Sequence, residues 1–79
     1  MLIVSPEKTL FEGPVKYVRL PGSAGQFAVF HNHAPLISSL DAGEVVYRSG
    51  KDKICLNISG GFVEVNDNTV SVCVTEATA

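Results

Sequence analysis

Apolar side chains recur at every second position along much of the chain, with polar residues between them. The pattern is clearest in four stretches, Val15–Val18, Ile54–Ser59, Phe62–Val65 and Val70–Thr75. A period of two places neighbouring side chains on opposite faces of a strand, so it predicts sheets with one buried face. Helix-forming residues cluster best at Ser5–Thr9, which could supply only a short helix. The chain is therefore predicted to be all-β.

Short turn sequences separate the predicted strands at regular intervals. The clearest are Glu12–Pro14, Pro21–Ser23, Asn32–Pro35, Asp41–Gly43, Ser49–Asp52, Gly60–Gly61 and Asn66–Asn68. Runs of about five residues between such turns are typical of a β-sandwich or barrel. Asn and Asp tolerate positive φ, so Asn66–Asn68 predicts a tight hairpin, and Ser49–Asp52 predicts a second. The two glycines after Ser59 predict a bulge or a close backbone approach.

Composition narrows the class of protein. The chain has 79 residues, of which 46% are hydrophobic and 18% charged, and this balance excludes a disordered tail. We predict a single domain over residues 1–79, because a chain of this length can bury only one small core. The net charge is −2 and the six basic residues are scattered along the sequence. Both facts argue against a nucleic-acid partner and against a patch for anionic membranes.

The N-terminus and the cysteines bear on the cellular compartment. Met1–Val4 is apolar, but no basic residue precedes it and Pro6 and Glu7 follow at once, so we identify no signal peptide. We therefore expect the chain to face the cytoplasm. Cys55 and Cys73 could pair in principle. Small secreted domains usually carry more bridges than one, so we expect buried, reduced thiols instead.

The segment Leu20–Leu40 contains no acidic or basic side chain over its whole length. A membrane-spanning helix would need such a length to be predominantly apolar, whereas this segment contains Gly, Pro and amide residues that divide it into turns and short strands. Burying neutral groups costs far less than burying unpaired charge. The segment is therefore predicted to present a surface that a partner protein covers, with Phe27 or Phe30 partly in the core. The alternative is that it simply forms two core strands joined by neutral turns.

Candidate chemistry is sparse. His31 and His33 could face the same side of a strand and bind zinc or copper, but a third ligand would have to come from elsewhere. The letters His31-Asn32-His33 alone do not make an HNH nuclease, which also needs a basic surface. Gly22–Gly25 lacks the following Lys-Ser or Lys-Thr of a phosphate-binding loop. The acidic residues are spread over the chain, so we predict no catalytic residue, no metal site and no cofactor.

Three motifs in order resemble the epsilon subunit family of the F-type ATP synthase. The first is the opening, Val4-Ser5-Pro6-Glu7 with Leu10–Gly13. The second comprises Pro21-Gly22, Gly25-Gln26-Phe27-Ala28-Val29, His33-Ala34-Pro35-Leu36 and Ala42-Gly43. The third is Ser59–Val65 followed by Asn68–Val72. The resemblance implies a flattened β-sandwich or barrel of about ten short strands, which agrees with the period of two.

The resemblance also implies partners and contact residues. Related domains form the foot of the central stalk, where they bind the gamma subunit and rest on the polar loops of the membrane c-ring. By position, the expected c-ring contacts are Ser23, Ala24, Gly25, Gln26 and Phe27. The expected contacts to gamma or the c-ring are Ser5, His31, Asn32, His33, Ala34, Pro35 and Ser38. Many relatives carry an acidic residue where Gln26 stands, so we expect hydrogen bonds there instead of a salt bridge.

The resemblance also implies a cellular location and the absence of one segment of the family. We expect a non-catalytic rotor subunit at the cytoplasmic face of the bacterial inner membrane, peripheral and not inserted. Family members continue into a helical hairpin that can inhibit ATP hydrolysis, and on this sequence we expect that hairpin to be absent. The alternative is a free-standing small β-sandwich that binds a ligand or a protein. It would need exposed aromatic residues along a groove, and the chain has only two Tyr and four Phe.

Overall fold

A computed structural model of the chain describes residues 1–30 and 33–77, and the predicted contacts His31 and Asn32 lie outside the described residues. It contains eight strands: β1 Leu2–Val4, β2 Thr9–Glu12, β3 Tyr17–Gly22, β4 Gly25–Val29, β5 Leu36–Leu40, β6 Gly43–Ser49, β7 Asp52–Asn66 and β8 Thr69–Glu76. The all-β prediction is confirmed, and no helix occurs in the described ranges. The strand number is eight and not about ten because β7 alone runs for 15 residues and takes part in both layers.

The strands form one hydrogen-bonded sheet that folds over itself into two layers. Layer A contains β2, β1, β8, the C-terminal half of β7 and β5. Layer B contains β4, β3, β6 and the N-terminal half of β7. A single pair between Gly22 of β3 and Leu40 of β5 joins the layers at the other side. The molecule is flattened, with extents of 33 × 28 × 20 Å.

An irregularity in β7 lets one strand serve both layers. The register with β8 shifts between Ile58 and Gly60, and Gly61 has a φ of 154°. Before the shift the even-numbered Ile58 points into the core, whereas after it the odd-numbered Val63 and Val65 do. An extra residue reverses which side chains face inward and increases the local bend of a strand. The bulge or close backbone approach predicted at Gly60–Gly61 is confirmed, whereas the turn predicted there is wrong, because β7 continues through both glycines.

The core consists of inward-facing aliphatic side chains from both layers. Its buried members are Ile3, Val18, Leu20, Val29, Leu40, Val45, Tyr47, Ile58, Val63, Val65, Val70, Val72 and Val74. The predicted alternation in Val70–Thr75 is confirmed, because every valine there is buried. In β3 the buried side chains are Val18 and Leu20, so Tyr17 and Arg19 lie on the outer face of layer B.

Both predicted hairpins are present. Asp67 and Asn68 have φ of 53° and 61°, as a two-residue turn with two left-handed positions requires. In the other hairpin Ser49 pairs with Asp52, and Gly50 takes the left-handed conformation.

The cysteines are free, but the prediction that they are buried is wrong. Cys55 is exposed and Cys73 is half-buried. Both occupy outward-facing positions, because the core-facing positions of β7 and β8 are taken by Ile and Val.

Within residues 1–30 and 33–77 there is no helix with the length and apolar character needed to cross a membrane.

Candidate functional site

The tip of the β3–β4 hairpin carries most of the expected c-ring contacts. Gly22 pairs with Gly25, so Ser23 and Ala24 form the two-residue turn between them. Ser23, Ala24, Gly25 and Gln26 are all exposed. No charged side chain belongs to this tip, so burying Ser23–Gln26 themselves desolvates no ion.

Phe27 anchors the base of this hairpin to the core. Its side chain is half-buried and packs against the core, which confirms the prediction that Phe27 or Phe30 points inward. A Cβ on Gly22 would lie 2.7 Å from Phe27 Cε1 and 2.7 Å from the Gly25 carbonyl oxygen. Only glycine leaves room for the ring at this position. The close packing fixes the base of the hairpin on the core.

The adjacent β5–β6 turn braces the tip through side chains that the sequence did not single out. The Ser23 amide donates to the Ser39 carbonyl at 3.0 Å, and the Ser23 hydroxyl donates to Asp41 Oδ1 at 3.0 Å. The Ser39 hydroxyl donates to the Ser23 hydroxyl at 2.9 Å, and the Asp41 amide donates to the Pro21 carbonyl at 2.8 Å. The only sequence signal for the brace is the turn sequence Asp41–Gly43, which also fits an ordinary turn.

The other group of expected contacts lies before and within β5. Ala34 and Pro35 are exposed, and His33 is half-exposed, with Nδ1 2.8 Å from the Ala34 carbonyl oxygen. Ser38 is half-buried on the core-facing side of β5, where it pairs in register with Val63. Its hydroxyl donates to the neighbouring Ser39 carbonyl at 3.0 Å. The outward-facing residue beside it is Ile37.

The two groups of expected contacts are not adjacent. The hairpin tip is joined to the C-terminal end of β5 through Ser39 and Asp41, whereas His33–Pro35 precedes the N-terminal end of β5. Four steps from Leu36 to Leu40, at about 3.3 Å per residue, separate the two ends by roughly 13 Å. The structure therefore offers two surfaces at opposite ends of β5.

An apolar patch connects these ends across the outer face of layer A. Ile37 and Phe62 are 74% and 54% exposed. They lie diagonally opposite each other, since Ser39 pairs with Phe62 and Ile37 pairs with Glu64. We call Ile37 and Phe62 the apolar pair. Sequence reasoning missed both residues, because the period of two does not say which large side chains remain uncovered.

Ser5 adjoins the apolar pair. It lines a groove of about 450 Å³ whose other walls are Val4, Pro6, Gly61, Phe62, Cys73, Val74 and Thr75. The Ser5 hydroxyl accepts from the amides of Glu7 and Lys8 at 3.4 and 3.3 Å and donates to the Lys8 carbonyl at 3.2 Å. Ser5 thus closes the β1–β2 turn and sets the rim of the groove. The expected contact at Ser5 and the apolar pair belong to the same outer face.

Metal ligands do not converge in the described ranges. No group of three or more His, Cys, Asp or Glu residues there could hold a metal ion. One member of the candidate pair, His33, uses Nδ1 in its short contact with the Ala34 carbonyl oxygen, and the other, His31, lies outside the described residues. The chemistry available on these surfaces is hydrogen bonding and apolar contact.

Comparison with known proteins supports the family resemblance that the sequence motifs indicated. A family model described as the β-sandwich domain of the ATP synthase delta/epsilon chain matches residues 1–79. The ATP synthase epsilon chain of Leptospira borgpetersenii is 44% identical over 70 residues, which are 89% of this chain and 55% of that protein. The epsilon chain of Cyanothece sp. is 37% identical over 75 residues, 95% of this chain and 54% of that protein. The chain thus spans about half the length of these curated relatives.

Two solved structures share the fold. A chain of the Euglena gracilis mitochondrial ATP synthase, determined as an OSCP/F1/c-ring assembly, matches with a TM-score of 0.88 and 25% identity, over 98% of this chain and 50% of that chain. A chain from the central stalk and c-ring of the Tetrahymena thermophila mitochondrial ATP synthase matches with a TM-score of 0.80 and 18% identity, over 95% and 61%. The chain therefore belongs to the delta/epsilon family of ATP synthase subunits, through the β-sandwich domain of that family.

Proposed function

We propose that this chain is a non-catalytic rotor domain that links the gamma subunit to the polar loops of the c-ring. In that position it would help to couple ion translocation to ATP synthesis. The observation that carries the proposal is the presence of two distinct surfaces, the uncharged hairpin tip and the apolar pair, at different places on one rigid sandwich. The matching chain from Euglena gracilis belongs to an assembly that contains a c-ring, which supports the same assignment.

The apolar pair is the proposed surface for gamma. Large hydrophobic side chains that are more than half exposed on a small domain commonly mark a protein interface. Aromatic and aliphatic anchors of this kind account for most of the binding energy when they are covered. Ser5 lies on the rim of the adjacent groove, and Pro35 and Ile37 line a second groove of about 440 Å³ on the same side.

The hairpin tip is the proposed surface for the c-ring. Ser23, Ala24 and Gly25 expose mainly backbone and small side chains, and the Gln26 amide can donate and accept hydrogen bonds. A rotor contact must hold its shape while torque passes through it. The brace from Ser39 and Asp41 holds the tip against β5, which reduces the ordering that binding would otherwise require.

The proposed assembly lies at the cytoplasmic face of the bacterial inner membrane, with this domain attached only through other subunits, and the similarity to bacterial epsilon chains supports this location. No step of this function asks for a catalytic group. The domain would act as a stiff connector, and strands that are hydrogen-bonded on both sides suit that task.

Co-purification with the cognate gamma subunit tests the first surface. We expect a one-to-one complex by size-exclusion chromatography, lost in Ile37→Asp and Phe62→Asp. Phe30→Asp is the matched control, because Phe30 is 61% exposed but lies on the other layer. Circular dichroism confirms that each variant folds. If both layer A variants bind gamma as the parent chain does, the apolar pair is not the interface.

Assembly with the purified c-ring and gamma tests the second surface. We expect Ala24→Asp and Gln26→Lys to retain gamma and to bind the c-ring more weakly than the parent chain does. A folded chain that binds neither gamma nor the assembled ring would instead support the alternative, a free-standing binding module. If the tip variants bind both gamma and the c-ring as the parent chain does, the rotor assignment still holds, but the hairpin tip is not the c-ring contact.

A further inference from the structure

The outer face of layer B concentrates positive charge that is scattered in the sequence. Arg19 of β3, Arg48 of β6 and Lys53 of β7 share this face, which holds three of the six basic residues. The residues are far apart in the chain but lie on paired strands, Arg48 directly opposite Lys53. Their scatter along the sequence therefore does not reveal that they meet on one face.

Within residues 1–30 and 33–77, these cations have no acidic partners. No ion pair joins any of the side chains in residues 1–30 and 33–77, and the one carboxylate on this face among those residues is Glu44, at the end opposite Asn57. Like charges directly across an antiparallel pair are destabilising. The Arg48–Lys53 pair therefore weakens the fold unless an anion neutralises it, and the structure supplies none from the described part of the chain.

Arg19 is already ordered against the sheet. Its Nε is fully buried with no hydrogen-bond partner. Val46, its neighbour in register, is only 2% exposed although it lies on the outer face and outside the core cluster. Both facts indicate that the stem of Arg19 lies along the sheet surface, as long basic side chains often do. A ligand that bound this side chain would have little rotamer freedom left to remove.

An aromatic pair adjoins the cations. The rings of Tyr17 and Phe30 are 5.8 Å apart, and a groove of about 360 Å³ is lined by Tyr17, Arg19, Ala28, Phe30 and Lys53. Phe30 is 61% exposed. The groove thus combines two cations with an uncovered aromatic surface. A carboxylate beside an apolar or aromatic side chain matches both features.

We propose that this groove binds an acidic polypeptide segment, with a carboxylate of the segment on Arg19 and Lys53 and a neighbouring apolar side chain on Tyr17 and Phe30. Membrane recognition through charge usually needs about four to eight clustered cations, and this face has three, together with Glu44. Charge-assisted hydrogen bonds to a carboxylate need only one or two cations. This proposal concerns layer B and does not depend on the function proposed for layer A.

Nuclear magnetic resonance titration of the isotope-labelled 79-residue chain tests the proposal. The probe is the peptide acetyl-Glu-Phe-Glu-Glu-Phe-Glu-amide, with the same peptide carrying Gln in place of every Glu as the neutral control. We expect saturable amide shifts confined to Tyr17, Arg19, Ala28 and Lys53 with the acidic peptide, and no saturation with the neutral one. Lys53→Gln should weaken binding by roughly threefold to tenfold.

Matched variants and probes decide the outcome. Lys8→Gln removes the same charge from the β1–β2 turn and should bind as the parent chain does. Equal binding by parent and Lys53→Gln, or equal binding of the acidic and neutral peptides, would overturn the site. Shifts on this face with inorganic phosphate or phosphatidylserine vesicles, but none with the acidic peptide, would overturn the polypeptide assignment. Since Lys53 is exposed, its variant should fold, and its spectrum establishes this directly.

Discussion

The Ser23 hydroxyl donates a 3.0 Å hydrogen bond to Asp41 Oδ1 and so ties the β3–β4 tip to the β5–β6 turn. Removing the acceptor in Asp41→Ala should free the tip while leaving the core intact. The expected loss in free energy of unfolding is about 0.5–1 kcal/mol, because the bond is exposed and a net hydrogen bond contributes about that much. Amide hydrogen exchange should accelerate at Ser23 and Ala24, in the turn, before it accelerates in any strand.

Asp41→Asn is the control for this brace, because its amide oxygen still accepts from Ser23. Under the proposed function, Asp41→Ala should weaken c-ring retention but not gamma binding, since the hydrogen bond between Ser23 and Asp41 involves neither member of the apolar pair. If hydrogen exchange at Ser23 is the same in Asp41→Ala and in the parent chain, the brace does not order the tip.

Gly61 lies where a side chain cannot fit. A Cβ there would be 2.2 Å from the Cys73 carbonyl oxygen, and φ is +154°. Gly61→Ala should therefore lower the free energy of unfolding by at least about 2 kcal/mol, through the clash with β8 and the strained backbone. Gly60 provides the matched control, because its Cβ would meet only the Leu40 carbonyl oxygen at 3.6 Å. Urea unfolding followed by circular dichroism should show Gly60→Ala within about 1 kcal/mol of the parent chain.

Much of the fold was predictable because alternation and turn chemistry are local. The valines of β8 and the Asp67-Asn68 turn follow from residues close together in the sequence. The long β7 was not predictable, because Gly60 and Gly61 can mark either a strand end or a bulge inside a strand. Only the pairing of Gly61 with β8 decides between them.

The surfaces were less predictable than the fold. The motifs indicated the hairpin tip, but the brace depends on Ser39 and Asp41 meeting Ser23 from another strand. The same limit hid the basic face, since Arg19 and Arg48 become neighbours only through strand pairing. Exposure of Ile37 and Phe62 is likewise a property of the finished sandwich.

The β7–β8 turn requires two residues in the left-handed conformation. Asp67 has a φ of 53°, which a β-branched side chain adopts only with strain. Asp67→Val should lower the free energy of unfolding by about 1–2 kcal/mol. Lys51→Val is the control, because Lys51 occupies the other two-residue turn without a positive φ. An equal loss in free energy of unfolding in the two variants, measured by urea unfolding, would show that the effect arises from β-branching alone.

Ionisation of Tyr47 makes the fold less stable at alkaline pH. Its side chain is 5% exposed and its ring centroid is 4.7 Å from that of Phe11. Burial raises the pKa of Tyr47 above its ordinary value of 10.0, because desolvation disfavours the phenolate. The unfolded chain therefore loses this proton at a lower pH than the folded chain. The resulting stabilisation is complete below about pH 10 and is lost as the pH rises through the folded pKa.

Tyr47→Phe isolates this contribution, because it keeps the ring contact with Phe11 and removes the titrating group. Urea unfolding of the parent and variant chains should give a constant difference in free energy of unfolding up to about pH 9. Above about pH 10 the parent chain should lose stability relative to the variant, since its unfolded state binds fewer protons than its folded state. Lysines titrate in the same range, but they are common to both chains and cancel in the difference. A difference that stays constant through the alkaline range would mean that Tyr47 ionises in the folded chain as easily as in the unfolded one.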